Sequence, residues 1–266
     1  MSNRPNIMGI LNVTPDSFSD GGKFDDVERA VAQAQRLISE GADILDIGGE
    51  STRPGAQEIS VKEEIRRTVP VIKAIREISN ITMSIDTRKP DVARAAIKAG
   101  ANIWNDVTAL TFDPRSADVA ADLACPVILM HIKGSPETMQ DNPSYDDPVK
   151  EVCDWLSRRI ENAVGKGVSD ISLDPGIGFG KRLDDNLALF RGIPAMKALG
   201  YPLLIGASRK SYISKIDGSD VDNRLGGSLA TAIYAAQAGA DMIRVHDVKE
   251  TVQALKVWEA IDDARR

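Results

Sequence analysis

Asp86, Asn105 and Asp174 each stand at the end of a short run of strand type, in ITMSID, NIWND and DISLD. A carboxylate set among apolar neighbours must find hydrogen-bond donors. Two readings are open for the three residues. They serve donors of the protein itself, or they accept from a flat heterocycle with several N–H groups, as a carboxylate does from a guanidine-like edge. A second set is cationic or imidazole: Arg53 in STRP, Lys210 in SRKS, and Arg244 and His246 in RVHD. With a helix N-terminus, such side chains hold phosphate or pyrophosphate. A solvated surface charge accounts for any one of them; several at strand ends point to an anion site. No Ser-His-Asp or Cys-His arrangement suggests a covalent nucleophile. Two histidines and no Cys pair argue against a zinc site.

These residues need elements to position them. Strand-type runs at 6–13, 43–47, 81–85, 102–107, 126–132, 170–173, 202–206 and 241–245 alternate with segments of helical spacing. Val27, Ala30, Val31, Ala34, Leu37 and Ile38 trace one helix face, as do Val248, Val252, Leu255, Trp258 and Ile261. Asp25 with Glu28, and Ser60 with Glu63, have capping-box spacing. Gly41, Gly100 and Gly239 read as helix C-caps running into strands. Pro70, inside a helical pattern, predicts a kink or a restart. Continuous apolar strands alternating with helices imply a covered parallel sheet. Eight such units in 266 residues match the α/β class of (β/α)8 TIM barrel, with residues 1–266 as a single domain. An open doubly wound sheet is the competing architecture, but the glycine-rich first turn of the dinucleotide type is missing.

In a barrel the strand C-termini converge on one face. Here they deliver Asn12; Glu50, Thr52 and Arg53; Asp86; Asn105 and Asp106; His131; Asp174; Ser208 to Ser211; and Arg244 with His246. A polar set at all eight ends exceeds what capping needs. The segments 12–24 and 48–57, rich in Gly, Pro, Ser and Thr, follow the first two strands on that face. Loops so placed often close over a substrate. Closure of the second would bring Thr52 and Arg53 onto a bound anion.

A formal net charge of -6 and a pI of about 5.1 argue against general nucleic-acid binding. No apolar run reaches bilayer length, and MSNRPNIMGIL lacks the features of a signal peptide. Cys125 and Cys153 suit reduced thiols. A cytoplasmic protein that binds neither membrane nor nucleic acid is the expectation.

Eight motifs in order, NIMGILNVTPDSFSDGG, GADILDIGGESTRPGA, SIDTRKP, NDVTAL, ILMHIKGSPETMQ, LDPGIGFGK, GASRKSYI and GADMIRVHDV, together resemble the dihydropteroate synthase family, the sulfonamide targets of folate biosynthesis. The resemblance implies a barrel that joins p-aminobenzoate to 6-hydroxymethyl-7,8-dihydropterin pyrophosphate with Mg²⁺, and a homodimer formed through C-terminal helices. It implies pterin contacts from Asp86, Asn105, Asp174 and Lys210. Asn12, Thr52, Arg53, Arg244 and His246 match the pyrophosphate site, with Asn12 also at the metal. Phe18, Pro54, Phe179, Lys210 and Ser211 match the p-aminobenzoate pocket. Asp86, Asp174, Lys210, Arg244 and His246 would carry the catalysis. Asp46 resembles an acid kept near the pterin, with a structural role an equal alternative. Met130 and His131 match lining positions, and Asp106 is left between ligand and protein. Arg88 and the run KSYISKI depart from the common pattern. GGESTRPGA and GFGK keep the common form, so sulfonamide sensitivity is expected. A methyltetrahydrofolate-type pterin-binding methyltransferase shares the barrel and the Asp/Asn/Asp pocket, but expels no pyrophosphate and needs no SRK…RVH anion site. A catalytically silent binding barrel is the rival from another class; Asn12, Arg53, Lys210 and His246 together argue against it.

Overall fold

The structure, a computed structural model, describes residues 4–14, 23–52, 55–135 and 138–264. Strands β1 (Asn6–Asn12), β2 (Ile44–Gly48), β3 (Thr82–Asp86), β4 (Ile103–Asp106), β5 (Val127–Met130), β6 (Ile171–Asp174), β7 (Leu204–Gly206) and β8 (Met242–Val245) lie parallel in the order β6-β5-β4-β3-β2-β1-β8-β7. The ring closes between β6 and β7 by one bridge, Leu173 with Leu203, beside the bond from Leu173 N–H to Pro202 O (2.8 Å). The helices are α1 (Lys23–Glu40), α2 (Val61–Ile78), α3 (Pro90–Ala99), α4 (Ser116–Leu123), α5 (Pro148–Gly165), α6 (Leu183–Arg191), α7 (Ile193–Lys197), α8 (Ser211–Asp217), α9 (Leu225–Gln237) and α10 (Val248–Asp263). The eight-unit barrel expected from the rhythm of the sequence is therefore present.

Side chains alternate across a strand, so every second residue faces the barrel interior. That alternation builds two layers. Met8, Ile44, Ile128, Leu204 and Met242 form an apolar floor, with Ile103 packed against it. The polar layer takes Asp46 from β2, Ser84 and Asp86 from β3, Asn105 from β4, Asp174 from β6 and Arg244 from β8. Register carries Asn12, Gly48, Asp86 and Asn105 across four neighbouring strands as one row. The larger core lies outside the ring, where Leu11, Leu45, Ile85, Trp104 and Leu129 pack with the helices.

Local signals mostly hold. Gly41, Gly100 and Gly239 end their helices at φ of +100°, +119° and +97°. The Ser60 side chain caps α2 by accepting from Glu63 N–H (3.2 Å). Glu63 does not complete the box, because Arg66 and Arg67 take its carboxylate. Asp25 is not a cap, since α1 has already begun at Lys23. Pro70 causes no restart; α2 runs unbroken through it.

The β2–α2 loop is fastened at its base. Glu50 Oε1 accepts from Ile59 N–H (2.9 Å) and from Lys89 Nζ (2.7 Å), and Arg88 Nε reaches Oε2 (3.2 Å). Lys89 also reaches Glu64 Oε2 on α2 (2.8 Å). All three ionic partners of this clasp on the β3–α3 and α2 side, Arg88, Lys89 and Glu64, are buried. Removing the cation leaves the fully buried Glu64 without its ionic partner and Glu50 with Arg88 and Ile59 N–H alone, so Lys89→Met should destabilise the fold by about 3–5 kcal/mol in urea unfolding. A loss under about 1 kcal/mol would mean that the clasp is not a buried ionic unit.

Candidate active site

The polar layer begins with Asp46 on β2, which is fully buried. Ser84 Oγ donates to its Oδ1 (2.5 Å), Asn105 Nδ2 approaches both oxygens (3.3 Å each), and Arg244 Nε donates to Oδ2 (2.5 Å). Asp46 is thus an internal hub that orders Asn105 and Arg244. Arg244 Nη2 continues to Asp86 Oδ2 (2.8 Å). The other oxygen, Asp86 Oδ1, is buried and has no hydrogen-bond partner. Burial, then the charge of Asp46, raise the Asp86 carboxyl to about 7, with Arg244 opposing. The two carboxylates hold the Arg244 guanidinium above its ordinary pKa despite burial. The sequence reading grouped Arg244 with the anion site; the structure ties it to the carboxylate row.

Asp174 ends β6. Its Oδ1 accepts from Gly176 N–H (2.7 Å), and burial raises its pKa, with Lys210 the strongest opposing charge. The following loop, residues 175–181, is pressed against His131 and Lys133, just past the end of β5. A Cβ on Gly176 (φ +66°) would sit 1.9 Å from His131 O, and one on Gly180 (φ +62°) 2.4 Å from Lys133 O, so neither tolerates a side chain. Successive carbonyls of this loop are each held by a side chain. Gly176 O and Phe179 O accept from Lys181 Nζ (2.9 Å each), Gly178 O from Gln140 (2.8 Å) and Gly180 O from the Tyr145 hydroxyl (2.8 Å). Ile177 O accepts from Lys210 Nζ. The Lys210 ammonium also lies 4.7 Å from the centre of the Phe179 ring, a cation–π contact. Burial lowers Lys210 to about 8, and Asp174 resists that shift.

His246 follows β8. Its backbone N–H donates to Ser208 Oγ (3.2 Å), and Nδ1 lies 3.1 Å from the same hydroxyl. Arg209 forms a bidentate pair with Asp247, which fastens the Lys210 loop to the His246 loop. Asn12, at the end of β1, is half-buried; it also lines a cavity of about 550 Å³ formed with Arg29, Gln33 and Arg36 of α1. Thr52 is half-buried, and Ser211 is exposed at the start of α8. Phe18, Arg53 and Pro54 lie outside the described residues. Asp106 is committed to the protein: it accepts from Thr108 N–H and hydroxyl (2.7 Å each) and from Leu110 N–H (2.9 Å), and burial raises it to about 6. His131 is buried, and its pKa falls to about 2, chiefly through burial. Asp86, Asn105, Asp174, Lys210 and Arg244 are therefore brought together, while Asp106 and His131 serve the surrounding protein. Sequence reasoning missed Lys181 and Ser84 and placed Ser208 at the seventh strand end without a role. Lys181 is inside the GFGK motif; Ser84 carries no signal beyond its place in a strand run.

The sequence profile of the pterin binding enzyme family matches residues 8–246. The chain is 48% identical over 261 residues to the dihydropteroate synthase of Synechocystis, covering 97% of this chain and 90% of that one. A solved Xanthomonas albilineans dihydropteroate synthase with 4-aminobenzoic acid superposes with a TM-score of 0.92 at 50% identity, over 97% of this chain and 93% of that one. The Yersinia pestis dihydropteroate synthase with a sulfonamide drug does so with a TM-score of 0.92 at 44% identity, over 98% and 95%. The chain belongs to the pterin binding enzyme family, among its dihydropteroate synthases.

Proposed function

We propose that this enzyme transfers a pterinylmethyl group, joining 6-hydroxymethyl-7,8-dihydropterin pyrophosphate to p-aminobenzoate and releasing 7,8-dihydropteroate and pyrophosphate in folate biosynthesis. The observation that carries the reading is Asp86 Oδ1, a buried acceptor without a donor in a row with Asn105. An unmet buried acceptor costs stability. A pterin edge, with several N–H groups side by side, would satisfy it.

The residues take these roles. Asp86, Asn105, Asp174 and Lys210 hold the pterin. Asn12, Thr52, Arg53 and His246 hold the pyrophosphate, with Arg244 between the two groups. Phe179, Ser211, Lys210, Phe18 and Pro54 receive the arylamine, or a sulfonamide in its place. Among the described residues no group of three or more His, Cys, Asp or Glu is placed to cage a metal. Mg²⁺ does not require one, because it keeps waters and takes substrate phosphates as ligands. The Asn12 amide oxygen, 3.6 Å from where a Cβ of Gly48 would stand, offers one oxygen ligand at the mouth and fits that role. When bound, the ion supplies charge stabilisation to the leaving pyrophosphate.

An arylamine is a weak base, so its lone pair is free to attack at neutral pH; the C–O bond to pyrophosphate breaks, the C–N bond forms, and the proton of the resulting acidic ammonium passes to water or to the released pyrophosphate. What the chain must supply is stabilisation of the cation left on the pterin's exocyclic methylene. Asp86 and Asp174 favour that charge. The path is ionisation first, with the pterin diphosphate bound before the amine.

We also propose a homodimer. Ile216 on α8, Leu225 and Tyr234 on α9, Val257 and Ile261 on α10, and the neighbouring Val221 are exposed large apolar side chains. Such a concentration on successive C-terminal helices suits a partner surface. No helix of the described residues is long and apolar enough to cross a membrane.

Three measurements test these readings. With dihydropterin pyrophosphate, p-aminobenzoate and Mg²⁺, pyrophosphate release should match pteroate formation; release without pteroate would place water, not the amine, at the cation. Pterin affinity should rise with pH through about 7, where Asp86 ionises, falling about tenfold per unit below it. The same raised pKa means that the native state keeps a proton the unfolded chain releases, so this group's contribution makes stability fall as pH rises from roughly 4 to about 7. The affinity limb should vanish in Asp86→Asn, and a flat wild-type profile would remove Asp86 from the pterin edge. Light scattering should give twice the chain mass for the wild type and less for Val257→Lys with Ile261→Lys; a monomeric wild type ends the dimer reading.

A further inference from the structure

Lys181 is the largest charged side chain that is fully buried, 1% exposed, and among the described residues no carboxylate pairs with it. Its neighbour Arg182, by contrast, pairs with Asp185. The Lys181 amine is fixed by Gly176 O (2.9 Å), Phe179 O (2.9 Å) and His131 Nδ1 (3.0 Å). Two of these acceptors belong to one short loop and the third to the end of β5. A buried lysine is costly unless its N–H groups are met, and here the loop carbonyls meet them. The bonds work in both directions: without the amine, Phe179 O loses its side-chain donor and Gly176 O keeps only the Phe179 N–H (3.0 Å).

Those carbonyls belong to the stretch that meets Lys210. Gly176 and Phe179 bracket Ile177, whose carbonyl accepts from Lys210. Phe179 itself carries the ring that lies against the Lys210 ammonium. The loop has left-handed glycines at 176, 178 and 180, so its conformation is not set by local preference and needs external fixing. His131 supports the amine from behind; its ring packs edge-on against Trp155, with centroids 4.9 Å apart.

We infer that Lys181 is a positioning residue for the arylamine pocket: by holding Gly176 O and Phe179 O to His131, it sets the Phe179 ring and the Ile177 carbonyl against which Lys210 is aimed. It touches no substrate. The inference rests on the reading that Phe179 receives p-aminobenzoate.

The test is a mutant cycle of Phe179→Ala, Lys181→Met and the double variant, with steady-state kinetics for p-aminobenzoate and calorimetric binding of dihydropterin pyrophosphate. Lys181→Met should raise KM for p-aminobenzoate at least about tenfold and leave pterin affinity within about threefold. The double variant should have a KM within about twofold of Phe179→Ala alone, because the lysine acts through that ring. Lys181→Gln, which returns an amide donor to the same carbonyls, should recover part of the loss. An unchanged KM in Lys181→Met, effects that multiply in the double variant, or equal losses of pterin and arylamine binding would overturn the inference. So would failure of both Lys181 variants to give folded, pterin-binding protein, since the lysine would then serve folding alone. If Phe179→Ala itself leaves KM unchanged, the pocket assignment fails instead.

Discussion

The mouth of this barrel is organised by one problem of charge. Three carboxylates, Asp46, Asp86 and Asp174, sit in or against a low-dielectric interior. Carboxylates there are tolerated only with donors of good geometry. Arg244 answers for two of them and Lys210 opposes the shift of the third. Arg244 stands on β8 while its partners stand on β2 and β3, with β1 between. Only the pairing of the last strand, β8, with the first, β1, brings them within reach, so the ion network and the barrel topology depend on each other. The apolar floor of Met8, Ile44, Ile128, Leu204 and Met242 and the outer core beneath the helices carry stability that the polar layer does not.

Much of this was legible in the sequence because it follows from periodicity. Strand runs buried on both faces read as continuous apolar segments, and their alternation with helices gave the barrel. The residues after each run gave the mouth, since a parallel barrel leaves its strand ends no other place to point. Partner choice was harder. Arg244 read as an anion ligand because a lone arginine after a strand carries no mark of what it faces; register shows it two positions from the floor, between Asp46 and Asp86. Asp106 looked like its neighbour Asn105, yet adjacent residues on a strand face opposite sides, and Asp106 turns to cap Thr108 and Leu110. Asp25 failed as a cap for an equally local reason, because α1 begins at Lys23, before the cap position itself.

Glu50 shows how a motif divides its labour. In GGESTRPGA the acid and the arginine read as one polar group. Glu50 instead belongs to the fixed base of the loop, bonded to Ile59 N–H and Lys89, with Arg88 alongside. Arg88, a departure from the common pattern, also pairs with Glu58 and lies over the Phe112 ring at 4.4 Å. The clasp joins positions 50 and 59 directly, so Thr52 belongs to a span whose two ends are held together. A short span with anchored ends loses less entropy on ordering than a free one.

Charge also accounts for how one mouth treats a cation and an anion together. Among the groups bonded or aimed into it, three carboxylates face two cations, Arg244 and Lys210, which leaves one negative charge when all are ionised. Such a balance favours positive charge developing on a bound heterocycle over a pyrophosphate at the same depth. In the proposed reaction the pyrophosphate would therefore sit away from the carboxylates, toward the ends of β1 and β8 and the β2–α2 loop that carry Asn12, His246 and Thr52. An arylamine received beside Phe179 and Lys210, as proposed, would then meet a cation held on the carboxylate side of the mouth.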